Sequence, residues 1–113
     1  MLSIVYRIEH RDTGKGPYRW GLGVVTRMLD RHDDDGKHPT MSRDLGMNGW
    51  DWLAIHNPES LFGFTSLAQL NAWFTPAEQL VMLANGFVIR RRRGTLCHVT
   101  SSQCTFLPKK ENS

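Results

Sequence analysis

The chain has 113 residues, of which 40% are hydrophobic and 22% charged, with a formal net charge of +3. That is room for one domain with a modest core that needs no metal or disulfide, and the balance excludes disorder through the body of the chain. No apolar run approaches the ~20 residues of a membrane span, and the first ten residues lack the apolar stretch of a secretory signal. Two cysteines, Cys97 and Cys104, are too few for a disulfide-stapled secreted domain, so both are expected reduced in the cytoplasm. Residues 1–56 carry eight basic and eight acidic side chains, whereas residues 57–113 carry six and three. The excess therefore sits in one stripe, Arg90, Arg91, Arg92 and Arg93, rather than across the chain.

In chain order, Ile4, Tyr6 and Ile8 alternate with Val5, Arg7 and Glu9, which predicts a strand with one core face. Glycine and proline from Thr13 to Tyr18 break it as a loop. Leu22, Val25, Met28 and Leu29 recur at helical spacing, weakened by Gly21 and Gly23. His32 to Asp44 is polar and turn-rich and reads as a long surface loop. Trp50, Trp52 and Leu53 mark a short buried segment ended by Asn57-Pro58. Ser66 and Gln69 form a capping box at the head of a helix bearing Leu67, Leu70 and Trp73. Thr75 and Glu78 form a second, with Pro76 at the first helical position, and Gly86 stops that helix.

Phe87–Arg93 reads as a strand, Gly94-Thr95 as a tight turn, and Leu96–Thr100 as the partner strand. Cys104–Pro108 is a last strand stopped by proline. The order predicts an α+β fold with a small, mostly antiparallel sheet and two to three helices. It spans residues 1–108 as a single domain, followed by a flexible tail over 109–113.

Several patterns bear on chemistry. Four consecutive arginines neutralise phosphate, and so offer a nucleic-acid-binding module, or else guard a sheet edge. On a strand only alternate members share a face. His32 and His38 with Asp33, Asp34 and Asp35 match neither zinc nor calcium spacing, so no metal is expected. Cys97 and His98 are adjacent on a strand and face opposite sides, a poor nucleophile–base pair. Trp73 is expected in the core, while Trp50 and Trp52, with Arg91 and Arg93, are candidates for partner binding.

Three segments in order resemble the ADP-ribosyltransferase pattern. Val5-Tyr6-Arg7 is similar to its early strand bearing an NAD-contacting cation. Phe62-Gly-Phe-Thr65-Ser66 is similar to its aromatic and hydroxyl motif leading into a helix. Ser102-Gln103-Cys-Thr-Phe-Leu-Pro108 is similar to its catalytic strand, with Gln103 where the glutamate belongs. The resemblance implies that Arg7, Thr65 and Ser66 contact NAD. A glutamine keeps the shape of the catalytic glutamate and loses its charge, so catalysis is impaired while binding survives. An active NAD-dependent transferase is the alternative, with Glu9 or Glu59 supplying the carboxylate. The compact, basic, Trp- and Met-rich chain also resembles small phage proteins that block a host defence complex, some anti-CRISPR proteins among them carrying an ADP-ribosyltransferase-like fold. A host protein complex is the partner that this implies.

Overall fold

The computed structural model describes residues 2–19, 28–29 and 38–109. The helix expected over Trp20–Leu29 lies outside them except at Met28 and Leu29, which are helical. Asp33–Asp35 and residues 110–113 lie outside them as well. Strand β1 spans Ser3–His10, and a single 3-10 turn follows at Pro17–Arg19. Helices α1 (Met41–Asp44) and α2 (Gly49–Ile55) precede strand β2 (Leu61–Gly63). Helices α3 (Leu67–Trp73) and α4 (Pro76–Ala84) lead into strands β3 (Phe87–Val99) and β4 (Cys104–Pro108). The fold is α+β, with four short α-helices among the described residues rather than two or three.

The sheet order is β1-β3-β4-β2, and every pairing is antiparallel. The first part of β3 pairs with β1, from Phe87 opposite His10 to Gly94 opposite Ser3. The second part pairs with β4, from Gly94 opposite Pro108 to Val99 opposite Cys104. The predicted turn at Gly94-Thr95 is therefore absent, and β3 runs through it without a break. Gly94 is needed instead for closeness, because a Cβ there would lie 2.6 Å from the Leu107 carbonyl oxygen and from Phe106 Cδ2. A register shift between Leu96 and His98 makes Cys97 the extra residue of a bulge, which bends the strand.

The sheet then curls until its outer strands meet. Tyr6 N donates to Phe64 O at 2.8 Å, and Phe64 N donates to Tyr6 O at 2.7 Å. Closure buries both faces of β1, which corrects the expectation of a single core face. Val5 packs inside with Cys104 and Phe106, all fully buried, flanked by Leu61 and Leu96. Ile8, Phe64 and Phe87 pack outside beneath Leu70, Trp73, Phe74 and Met82.

The local signals around the central helices are met. Thr75 and Glu78 form the reciprocal capping box, Pro76 opens α4, and Gly86 takes φ +88° beyond its end. Ser66 accepts from Gln69 N, but the Gln69 carboxamide bonds Thr65 rather than reaching back to Ser66. Leu70 and Trp73 are buried as expected, whereas Leu67 stays exposed. The end of the predicted 32–44 loop is helical, because the Thr40 side chain accepts from Arg43 N and starts α1.

Candidate functional site

A cavity of about 550 Å³ opens beside the Tyr6–Phe64 bridge, within the range of small-ligand sites. Its walls come from β1, β2, the loop after β1, the 38–42 segment and the end of α3. Two residues expected at one site, Arg7 and Gln103, both line it.

Arg7 is 6% exposed, and its guanidinium ties the cavity floor together. Nη1 donates to Phe62 O at 3.0 Å and Nη2 to Gly14 O at 3.4 Å, and Nε lies 2.9 Å from Glu9 Oε2. Gln103 is 5% exposed. Its Nε2 donates to Pro39 O at 2.8 Å and to Asp44 Oδ2 at 3.2 Å. The same Asp44 oxygen accepts from Thr100 Oγ1. Gln103 thus holds the 39–44 segment against the start of β4.

Thr65 and Ser66 do not join them. Thr65 N and Oγ1 both donate to Gln69 Oε1, at 2.9 and 3.0 Å, and Ser66 caps α3. Glu59 is exposed. Glu9 is 1% exposed and is held by arginines. Neither glutamate is among the described residues lining the cavity.

On the aromatic side of the cavity, Trp73 Nε1 donates to the Tyr18 hydroxyl at 2.8 Å. Half of Tyr18 is open to solvent. Burial, helped by the charge of Glu78, pushes the phenol well above its ordinary 10.0 against the lowering effect of the Trp73 bond. The group is therefore a neutral hydrogen-bonding hydroxyl and no base. His38, read from sequence as part of a polar loop, is buried, with Nε2 2.6 Å from Trp73 O. No cluster of metal-ligating side chains occurs among the described residues.

The arginine stripe divides as strand alternation requires. Arg90 and Arg92 share the face of Arg7 and Glu9. Arg90 Nε lies 3.6 Å from the Glu9 carboxylate, and Arg92 Nη2 bonds it directly. One buried carboxylate thus gathers three arginines, two of them half open to water. Arg91 and Arg93, opposite Tyr6 and Ile4, are exposed on the other face. Sequence reasoning missed Glu9 as the centre of this cluster. The signal was the i, i+2 spacing of Val5, Arg7 and Glu9 on one face.

The segment around Trp50 departs most from expectation. It forms a helix that buries none of its residues, capped by the Asn48 side chain accepting from Asp51 N at 2.8 Å. Trp52 stacks on His56 at 4.6 Å between centroids and meets His98 edge-on at 5.2 Å, while His56 stacks on Phe62. That aromatic set seats α2 on the sheet. Trp50 is left 84% exposed and Leu53 65% exposed. The expected buried segment is thus a surface helix, because a single side of a seven-residue helix satisfies the contact and the other side keeps its apolar residues in water.

A closed four-stranded antiparallel sheet with helices on its outer face, one cavity wall of aromatics and a carboxylate ringed by arginines together define a small α+β protein. Its chain belongs to the Bacteriophage T4 Y00F protein family, whose model matches residues 1–113. No curated protein and no solved structure matches the chain. The comparisons support a phage protein and give no support to an ADP-ribosyltransferase-like fold.

Proposed function

We propose that this phage-family protein acts by binding rather than by catalysis, as a cytoplasmic inhibitor of a host defence complex of the CRISPR type, with α2 as its contact surface. The observation that carries the proposal is Trp50, 84% exposed on a helix with no buried residue. Tryptophan and arginine dominate the energetics of protein interfaces, and exposed Leu53, one turn on from Trp50, extends the apolar surface around it. Arg91 and Arg93 add unburied positive charge suited to an acidic partner. A phage protein meets host machinery first, which supports a host partner. The nucleic-acid alternative keeps two of its four arginines, since Glu9 draws the other two.

A plaque assay tests the proposal. Bacteria with an active CRISPR-type system targeting a phage should become permissive when they express the wild-type protein, and immune again with Trp50→Ala. Plaquing no better than with an empty vector would remove the inhibitor reading.

A further inference from the structure

The closing seam of the sheet carries an inference that does not involve Trp50. Along an antiparallel strand the backbone N–H and C=O of every second residue point to the same edge. Tyr6 turns both of its groups to Phe64. His10 N donates to Lys15 O at 2.8 Å, and His10 O accepts from Gly14 N at 2.8 Å, so His10 faces the same edge. Arg11, of the opposite parity, turns back and donates to Gly86 O at 2.9 Å. Ile8 lies midway between Tyr6 and His10. Its N–H and C=O therefore point across that edge too, away from its β3 neighbour Ile89. Neither group meets a protein partner among the described residues.

The cause is that β2 leaves β1 at this point. Pairing continued from the Tyr6–Phe64 bridge would set Ile8 opposite Phe62. Instead, Phe62 O accepts from Arg7 Nη1 at 3.0 Å. Phe62 N–H, two residues before Phe64, faces the gap by the same alternation and has no partner among the described residues. The strands thus fork, and Ile8 and Phe62 both line the cavity of about 550 Å³. Ile8 is only 5% exposed. A buried backbone donor or acceptor left unpaired costs as much as a lost hydrogen bond, and an open strand edge is a template for another chain.

We propose that the fork takes an extended peptide, one residue of which accepts from Ile8 N–H and donates to Ile8 C=O as in an antiparallel ladder. Phe62 N–H is a further donor on the other side of the fork. An apolar or aromatic side chain of that peptide packs on the cavity wall at Tyr18 and Trp73. A donor and an acceptor on one residue match the same pair on another residue. A carboxylate or phosphate would set an acceptor against Ile8 C=O, and Arg7 is already engaged by Glu9, Phe62 O and Gly14 O.

Amide hydrogen exchange followed by NMR on the whole protein tests this. In the free protein the Ile8 amide should exchange about tenfold or more faster than those of Tyr6 and His10, its bonded neighbours on the same edge. Acetylated and amidated tripeptides with valine, leucine or phenylalanine at the centre, supplied together at millimolar concentration, should slow Ile8 and Phe62 and leave Tyr6 unchanged. The same peptides N-methylated at the central residue cannot donate to Ile8 C=O. They should bind about tenfold more weakly, as loss of one buried hydrogen bond predicts. An Ile8 amide as slow as that of Tyr6 in the free protein would mean a zipped seam and would overturn the proposal. So would tripeptides that leave Ile8 unslowed, or N-methylated ones that protect it equally.

Discussion

Tyr6 and Phe64 exchange both of their backbone hydrogen bonds, at 2.8 and 2.7 Å, and through that one bridge the first and last strands of the sheet touch. The neighbouring Gly63 makes the approach possible. A Cβ there would sit 2.5 Å from Val5 Cγ1 and 3.0 Å from Tyr6 O, the latter being backbone that cannot swing aside. Gly63→Ala should therefore destabilise the fold by about 1–3 kcal/mol, the usual cost of overpacking, in urea unfolding followed by circular dichroism. Gly49→Ala, where an added Cβ meets nothing within 4 Å, should be neutral.

Glu9 should matter more than any one of its arginines. Removing its charge takes from buried Arg7, and from Arg90 and Arg92 beside it, the carboxylate that all three share. Breaking a buried pair from one side costs on the order of 3 kcal/mol. Arg92→Ala removes a half-exposed partner and should cost under about 1 kcal/mol, since solvent screens it. Equal losses for Glu9→Gln and Arg92→Ala in the same unfolding assay would contradict the carboxylate-centred cluster.

The two tryptophans differ in opposite directions for stability and binding. Trp73 is 8% exposed within the outer core and bonds Tyr18, so Trp73→Ala should cost about 3–5 kcal/mol. Trp50→Ala should change stability by less than about 0.5 kcal/mol. Thermal unfolding of both variants checks this directly.

Cysteine reactivity gives a test of the inner core. Burial pushes the Cys104 thiol from 9.0 up to about 12, against the lowering effect of the Gly63 backbone and with a small rise from Cys97. Cys97 is exposed. An aromatic disulfide reagent at pH 8 should titrate one thiol in the folded protein and two in denaturant. The sign for stability follows from linkage. Between about pH 9 and 12 the unfolded chain releases a proton that the fold retains, so stability is whole below pH 9 and declines above it. Cys104→Ala should flatten that decline in part, with Tyr18 supplying a remainder of the same sign.

What was legible in the sequence was local. The Thr75–Glu78 box, Pro76 and Gly86 set both ends of α4 within a dozen residues, and Cys104–Pro108 reads as a strand from its own composition. The alternation rule also placed Arg90 and Arg92 on one face. Strand β2 was not legible, because three residues become a strand only by pairing with distant Cys104 to Phe106. Gly94 read as a turn because glycine marks both turns and close backbone approach, and only the packing of Phe106 against it decides. Arg7 and Gln103 were singled out and do line one cavity, whereas Thr65 and Ser66 are engaged by α3. The Glu9 cluster depends on residues more than eighty positions apart, beyond any local pattern. Trp50 and Trp52, expected together in a short buried segment, lie two apart on a helix and so on opposite sides of it, which puts one in water and the other on the sheet.

The binding role of α2 is tested most directly by placing a photo-crosslinking amino acid at Leu53 and illuminating phage-infected host cells. The expected result is one predominant adduct, a subunit of a defence complex identified by mass spectrometry, that disappears when Trp50→Ala is added. No adduct, or a spread of adducts unchanged by Trp50→Ala, would contradict α2 as the contact surface.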